Sequence, residues 1–122
     1  MERVEEFQID GKKFMYIDLS NIKTNEDFMK ETELVKTEIE KHPEKSLYTI
    51  TNVGYVRFDS DSKKLVSDYM SHNKPYVRSA VVTGFDGIKK AMINIIVKMS
   101  GRNNVYFAFS KEQAIEWLLM QD

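Results

Sequence analysis

Three groups of residues in this chain of 122 have types and spacings suited to chemistry. The first is Asp59-Ser60-Asp61-Ser62, two hydroxyls interleaved with two carboxylates. A serine just before a helix is a candidate phosphoacceptor or switch, because the free N–H groups and positive dipole end of a helix start stabilise added negative charge. Asp59 and Ser62 belong to the same candidate site. Asp59 and Asp61 have the spacing to bracket a cation, but aspartates at a helix start serve far more often as caps. The second group is Gly84-Phe85-Asp86-Gly87 followed by Lys89 and Lys90, with Arg102 further on. Gly84, Gly87, Lys89, Lys90 and Arg102 form a candidate anion site, against the simpler reading that the glycines only permit a tight turn. The motif lacks the spacing and the Gly-Lys-Ser/Thr ending of a P-loop, so it is not expected to bind a nucleoside triphosphate. The third group is apolar: Met92, Ile93, Ile96 and Val97, a candidate interface on one helix.

Other chemistry has little support. The chain has no cysteine, which excludes disulfides, thiolate metal sites and cysteine nucleophiles. His42 and His72 fall at helix ends without metal-ligand spacing, and there is no Gly-x-Ser-x-Gly elbow. The expectation is a protein that is not an enzyme and uses neither metal nor cofactor. The hydrophobic fraction of 42% and charged fraction of 30% are those of an ordinary globular domain. No apolar run approaches a membrane span and the first residues are no signal peptide, so a cytoplasmic protein without a transmembrane segment is expected. Residues 1–62 carry nine Lys/Arg against fourteen Asp/Glu, and residues 63–122 carry nine against five. The basic cluster within 74–102 is not interleaved with an aromatic stacking motif, so nucleic acid is not an expected partner.

The elements that position these groups follow from local signals. Asp10-Gly11 between apolar runs 3–9 and 13–19 reads as a β-hairpin, and the second run is apolar on both faces. Thr24 with Asp27 opens a helix that buries Phe28, Thr32, Val35 and Ile39 and stops at His42-Pro43. Residues 47–53 read as a strand. The Asp59–Ser62 run caps a second helix, with Ser60 as its expected cap and Leu65, Val66, Tyr69 and Met70 on its buried face. Residues 76–83 make a fourth strand, whose Ala80-Val81-Val82 run points to a central place in the sheet. A third helix covers 88–99 with Gly101 as its C-terminal cap, a fifth strand 105–109, and a last helix opens at Ser110 with Gln113. This order predicts a single α/β domain over 1–122. It has a five-stranded, mostly parallel mixed sheet with an N-terminal β-hairpin, and four helices.

The third helix has more apolar circumference than one sheet needs. Lys90, Asn94 and Lys98 form one polar stripe, and Ile88, Ala91, Met92, Ile93, Ile95, Ile96, Val97 and Met99 fill most of the rest. Covering a sheet takes an apolar arc of roughly 100°. The excess predicts contact with something further: a second copy in a homodimer, a protein partner, or a lipid.

In its element order the chain resembles the SpoIIAA-like branch of the STAS domains, found in anti-sigma-factor antagonists and sulphate-transporter tails. The resemblance rests on the segment 49–60, which ends in Asp59-Ser60, on Asn73-Lys74-Pro75-Tyr76-Val77, on the turn at 84–87, on Gly101-Arg102-Asn103, and on the ending 109–118. It implies a regulatory or protein-interaction module, and a serine, here Ser60, that a partner kinase phosphorylates. The chain departs from the family pattern just afterwards, where Asp61-Ser62-Lys63-Lys64 replaces a glycine-containing helix start. An alternative class is a carrier for a lipid or other anionic amphiphile, with the third helix as wall and Lys89, Lys90 and Arg102 on the head group.

Overall fold

Asp10 and Gly11 both take left-handed backbone angles, φ 52° and 80°, as a tight hairpin turn requires. The turn sets β1 (Val4–Ile9) antiparallel to β2 (Lys12–Asp18), with Ile9 opposite Lys12. The structure, a computed structural model, describes residues 2–121. Phe14 and Met15, neighbours on β2 that point to opposite faces, are both fully buried, so helices cover both sides of this strand.

From β2 the chain runs α1 (Asn25–Ile39), β3 (Leu47–Asn52), α2 (Ser62–Asn73), β4 (Val77–Thr83), α3 (Gly87–Met99), β5 (Val105–Phe107) and α4 (Lys111–Leu119). The sheet order is β1-β2-β3-β4-β5, and every pairing after the hairpin is parallel. The centre is therefore β3. The expected central strand β4 is paired on both sides but lies next to the edge, because β5 contributes only three residues beyond it. Its apolar run reflects helices on both faces, which burial patterning cannot distinguish from a central position.

Strands in chain order with right-handed crossovers put successive helices on one face. The packing agrees. Residues of β2, α1, α2 and α3 (Met15, Ile17, Val35, Ile39, Val66, Tyr69, Ile96) share one core, while Phe14, Tyr48, Ile50 and Val81 meet Ala114 and Leu118 of α4 on the other face. The row on the first face is α1-α2-α3, with α2 touching both neighbours. No helix among the described residues is long and apolar enough to cross a membrane.

Local signals hold the helix ends. Thr24 accepts a hydrogen bond from the Asp27 N–H at 3.1 Å. Ser110 accepts from the Gln113 N–H at 3.0 Å, and the Gln113 side chain reaches back to accept from the Phe109 N–H at 2.7 Å. At the far end of α4, Lys12 donates to the carbonyls of Leu118 and Leu119, both at 3.1 Å, and to that of Gln121. A cation there meets the negative end of the helix dipole. Helix α3 ends on Gly101 at φ 74°. The N–H groups of Gly101 and Arg102 return to the carbonyls of Lys98 at 3.3 Å and Val97 at 3.2 Å, the paired bonds of a Schellman ending.

Candidate functional site

The loops after the parallel strands gather at the carboxyl edge of the sheet. A depression there is lined by Ser20, Asn21, Asn52, Gly54, Tyr55, Gly84, Phe85, Asp86 and Lys89. Gly84 has a positional reason to be glycine. At φ +78° a Cβ on it would stand 2.3 Å from the Asn52 Oδ1 and 2.7 Å from the Gly54 nitrogen. That close approach holds the β4–α3 loop against the β3–α2 loop, while Asn52 Oδ1 accepts from the Gly54 N–H at 2.9 Å. Gly87 has open space around its Cβ position, so no crowding requires a glycine there. Tyr55, on the same edge, holds a left-handed angle of φ 59°, an uncommon state for a large side chain.

Each of the two helix starts at this edge has its own carboxylate. Asp59 Oδ1 accepts from the N–H groups of Asp61 at 2.9 Å and Ser62 at 3.1 Å. The side-chain amide of Asn25, then the Ser62 hydroxyl and these backbone donors, hold the Asp59 carboxyl below its ordinary value of 3.8. Ser62 is buried, donating to Asn25 Oδ1 at 2.8 Å and accepting from the Asp59 N–H at 3.0 Å. Ser60 lies exposed in the turn before α2. This corrects the expectation that Ser60 caps the helix: the cap position is Asp61, which makes no side-chain capping bond, while Asp59 holds the turn before it and Ser62 ties α2 to the start of α1. At α3, Asp86 Oδ1 accepts from the Lys89 N–H at 2.8 Å.

The structure keeps Gly84 and Lys89 of the candidate anion site together on this depression and separates Arg102 from them. Lys89 folds back, with its Nζ 3.4 Å from the Val53 carbonyl and 4.0 Å from Asp86 Oδ2. Lys90 lies over the rings of Phe85 and Phe107, 5.7 and 5.3 Å from their centroids. Arg102 follows the other end of α3, some thirteen residues or about 20 Å of helix away. A single head group cannot touch all three cations.

The apolar candidates also divide. Ile93 and Ile96 are buried against the sheet, and Met92 and Val97 are half-buried at the same cores. The free apolar face is formed by other residues: Ile88 is 82% exposed, Ile95 52% and Met99 63%, with Ala91 exposed between them. The physical reason is helical geometry: at 100° per residue Ile88, Ala91, Ile95 and Met99 lie well round the helix from Ile93, which packs inward, so this second apolar group stays outside the core.

Sequence reasoning assigned no ligand role to Tyr69, and placed Arg102 among surface lysines. Both are buried, and both line a cavity between the sheet and the helices. The signal for Arg102 is local. The second residue after a Schellman cap normally packs inward against the last turn, so a residue following Gly101 is directed toward the core whatever its charge. His42 and His72 serve as ties, bonding Glu6 and Glu40, each at 2.6 Å. No protein-family model matches this chain, and comparison with curated proteins finds no relative.

Proposed function

We propose that the chain is a non-enzymatic regulatory module of the STAS type, working by protein contact, and that it pairs with a second copy through the outer face of α3. The observation that carries this reading is the stripe Ile88, Ala91, Ile95 and Met99, exposed along an end-of-row helix. Its spacing of three, four and four residues is that of a helix–helix seam. The mixed sheet, with one antiparallel hairpin and parallel strands in chain order, is compatible with a SpoIIAA-like architecture. Ser60, exposed at the carboxyl edge, is the hydroxyl within reach of a kinase.

Light scattering tests the pairing. The wild type is expected to be a dimer at micromolar concentration, and Ile95→Lys a folded monomer with unchanged circular dichroism. Lys98 borders the stripe, three residues from Ile95, so pairing of like surfaces is expected to strengthen as salt screens the repulsion between the two copies of this lysine. A wild-type monomer throughout this range overturns the self-pairing reading. Association only with an acidic partner, weakening with salt, replaces the second copy by that partner.

A further inference from the structure

A cavity lies under the helix row, between β2, β3 and β4 on one side and α2 and α3 on the other. Its walls are largely apolar, and Ile17, Val66, Val82 and Ile93 are among them. Two of its polar lining groups are left short of hydrogen-bond partners. Arg102 is 7% exposed and Tyr69 6%. The Arg102 Nε donates to Asn104 Oδ1 at 2.9 Å and the Nη1 to the Met70 carbonyl at 3.2 Å. Among the described residues its Nη2 has no partner, and the Tyr69 hydroxyl has none of good geometry, although the Asn73 side chain lies near enough to act on its oxygen and leaves its proton free to donate.

An arrangement of this kind is unfavourable unless something answers it. Buried polar groups in folded proteins are nearly always paired, and a buried cation without a counter-charge is costlier still. Among the described residues no carboxylate lies within 4.0 Å of the guanidinium; every ion pair involves other cations. Burial lowers the Arg102 pKa to about 10, with Tyr69 acting to raise it, so the group remains a cation at neutral pH. Burial also raises the Tyr69 pKa, against the pull of Asn73 and of the Arg102 charge, so its hydroxyl remains a donor.

We propose that this cavity binds a small monocarboxylate, with Arg102 Nη2 and the Tyr69 hydroxyl donating to the carboxylate and the apolar walls enclosing a short hydrocarbon tail. The chemistry selects the class. Guanidinium offers only donors and the phenol a donor, which calls for an acceptor. One cation in a largely apolar lining that holds no other charged residue matches one negative charge, which disfavours phosphate and sulphate. Size sets the tail. The cavity volume is about 60 Å³, room for roughly four to six water-sized groups at 10–15 Å³ each. With its two oxygens counted, an acid of about two to four carbons fits.

Butyrate is the probe, titrated into the full chain and followed through the methyl resonances of Ile17, Val82 and Ile93. Saturable shifts at these interior methyls are expected, with the neutral isostere butyramide binding at least about tenfold more weakly, the usual size of one lost charge-assisted hydrogen bond. Tyr69→Phe removes the hydroxyl alone and is expected to weaken butyrate about tenfold on the same ground. Arg102→Gln is expected to abolish binding. If that variant fails to fold, because Arg102 also holds the Met70 carbonyl and Asn104, the amide comparison and Tyr69→Phe decide. Butyrate and butyramide binding equally, unchanged affinity in Tyr69→Phe, or no saturable shift at millimolar butyrate would each overturn the proposal. The readout is independent of pairing through α3, since Ile95→Lys is expected to bind butyrate as the wild type does.

Discussion

Helices α1 and α3 occupy opposite ends of the same row, each with α2 as neighbour on one side only. On α1 the exposed positions are mostly charged or polar: Glu26, Asp27, Lys30, Glu33 and Thr37, with Met29 and Leu34 among them. Lys36 pairs with Glu33 at 3.0 Å, and Arg3 reaches across from the hairpin to Glu31 at 3.3 Å. On α3 the exposed positions are half apolar, and its apolar residues fall on two flanks instead of one. The same structural position thus carries a finished surface in one case and an open one in the other. An end-of-row helix does not need a second apolar flank in order to fold, so the second flank of α3 is available for contact with something outside the chain.

The sharpest way to break this contrast is inside α3. Ile96→Ala is expected to cost about 2–5 kcal/mol, as deletions of fully buried aliphatic side chains do. Ile95→Ala, one position along, is expected to stay within about 0.5 kcal/mol. Urea denaturation at concentrations below self-association measures both, and equal losses would mean that Ile95 is covered within the monomer. A conversion experiment follows. Lys30→Leu with Thr37→Leu gives α1 an apolar stripe through Leu34, and self-association is expected to persist when Ile95→Lys is added. If it vanishes, an exposed apolar stripe is not sufficient for pairing.

Smaller effects refine the α1 side. Glu31→Gln removes a partly exposed ion pair and is expected to cost less than about 1 kcal/mol. The helix starts differ as well. The cap of α1 is the hydroxyl of Thr24, which does not titrate in the acid range, whereas the turn that opens α2 is held by the carboxylate of Asp59. Its folded pKa is lowered, so its contribution is complete above the ordinary value of 3.8 and is lost as pH falls through the lower folded value. Protection of the Asp61 and Ser62 amides, their exchange relative to the free-peptide rate at the same pH, is expected to fall on acidification below that value, while protection at Asp27 does not respond through its own cap.

Most elements were legible because their signals are local. Asp10-Gly11, Thr24 with Asp27, Ser110 with Gln113, and Gly101 each act within four residues, and each does in the structure what its spacing implies. The cap of α2 was read one residue early, at Ser60 instead of Asp61. Which member of Asp59-Ser60-Asp61-Ser62 caps depends on where the first turn begins, and Asn25, 37 residues away, holds Ser62 there. The excess of apolar surface on α3 was visible in its period, but not the flank it occupies. A helical wheel has no fixed origin until the sheet and α2 define one, so Ile93 and Ile96 stood in for Ile88 and Ile95. The cavity was illegible for a similar reason: Tyr69 and Arg102 belong to different segments and meet only when α2 and α3 lie side by side.

The matching of strand order to chain order also has a consequence for how the molecule comes together. After the hairpin, each new strand pairs with the strand made just before it, so the sheet can extend in the direction of synthesis without waiting for a distant partner. Such sequential pairing keeps loop closures short, the condition under which chains fold quickly. The exception is α4, which alone among the described helices covers the second face and is made after all five strands. Until it docks and Lys12 grips its end, Phe14, Tyr48, Ile50 and Val81 form one uncovered apolar surface on an otherwise assembled sheet. A nascent chain stalled before residue 111 is therefore expected to be the form that aggregates or recruits a chaperone, although every strand of its sheet is already present.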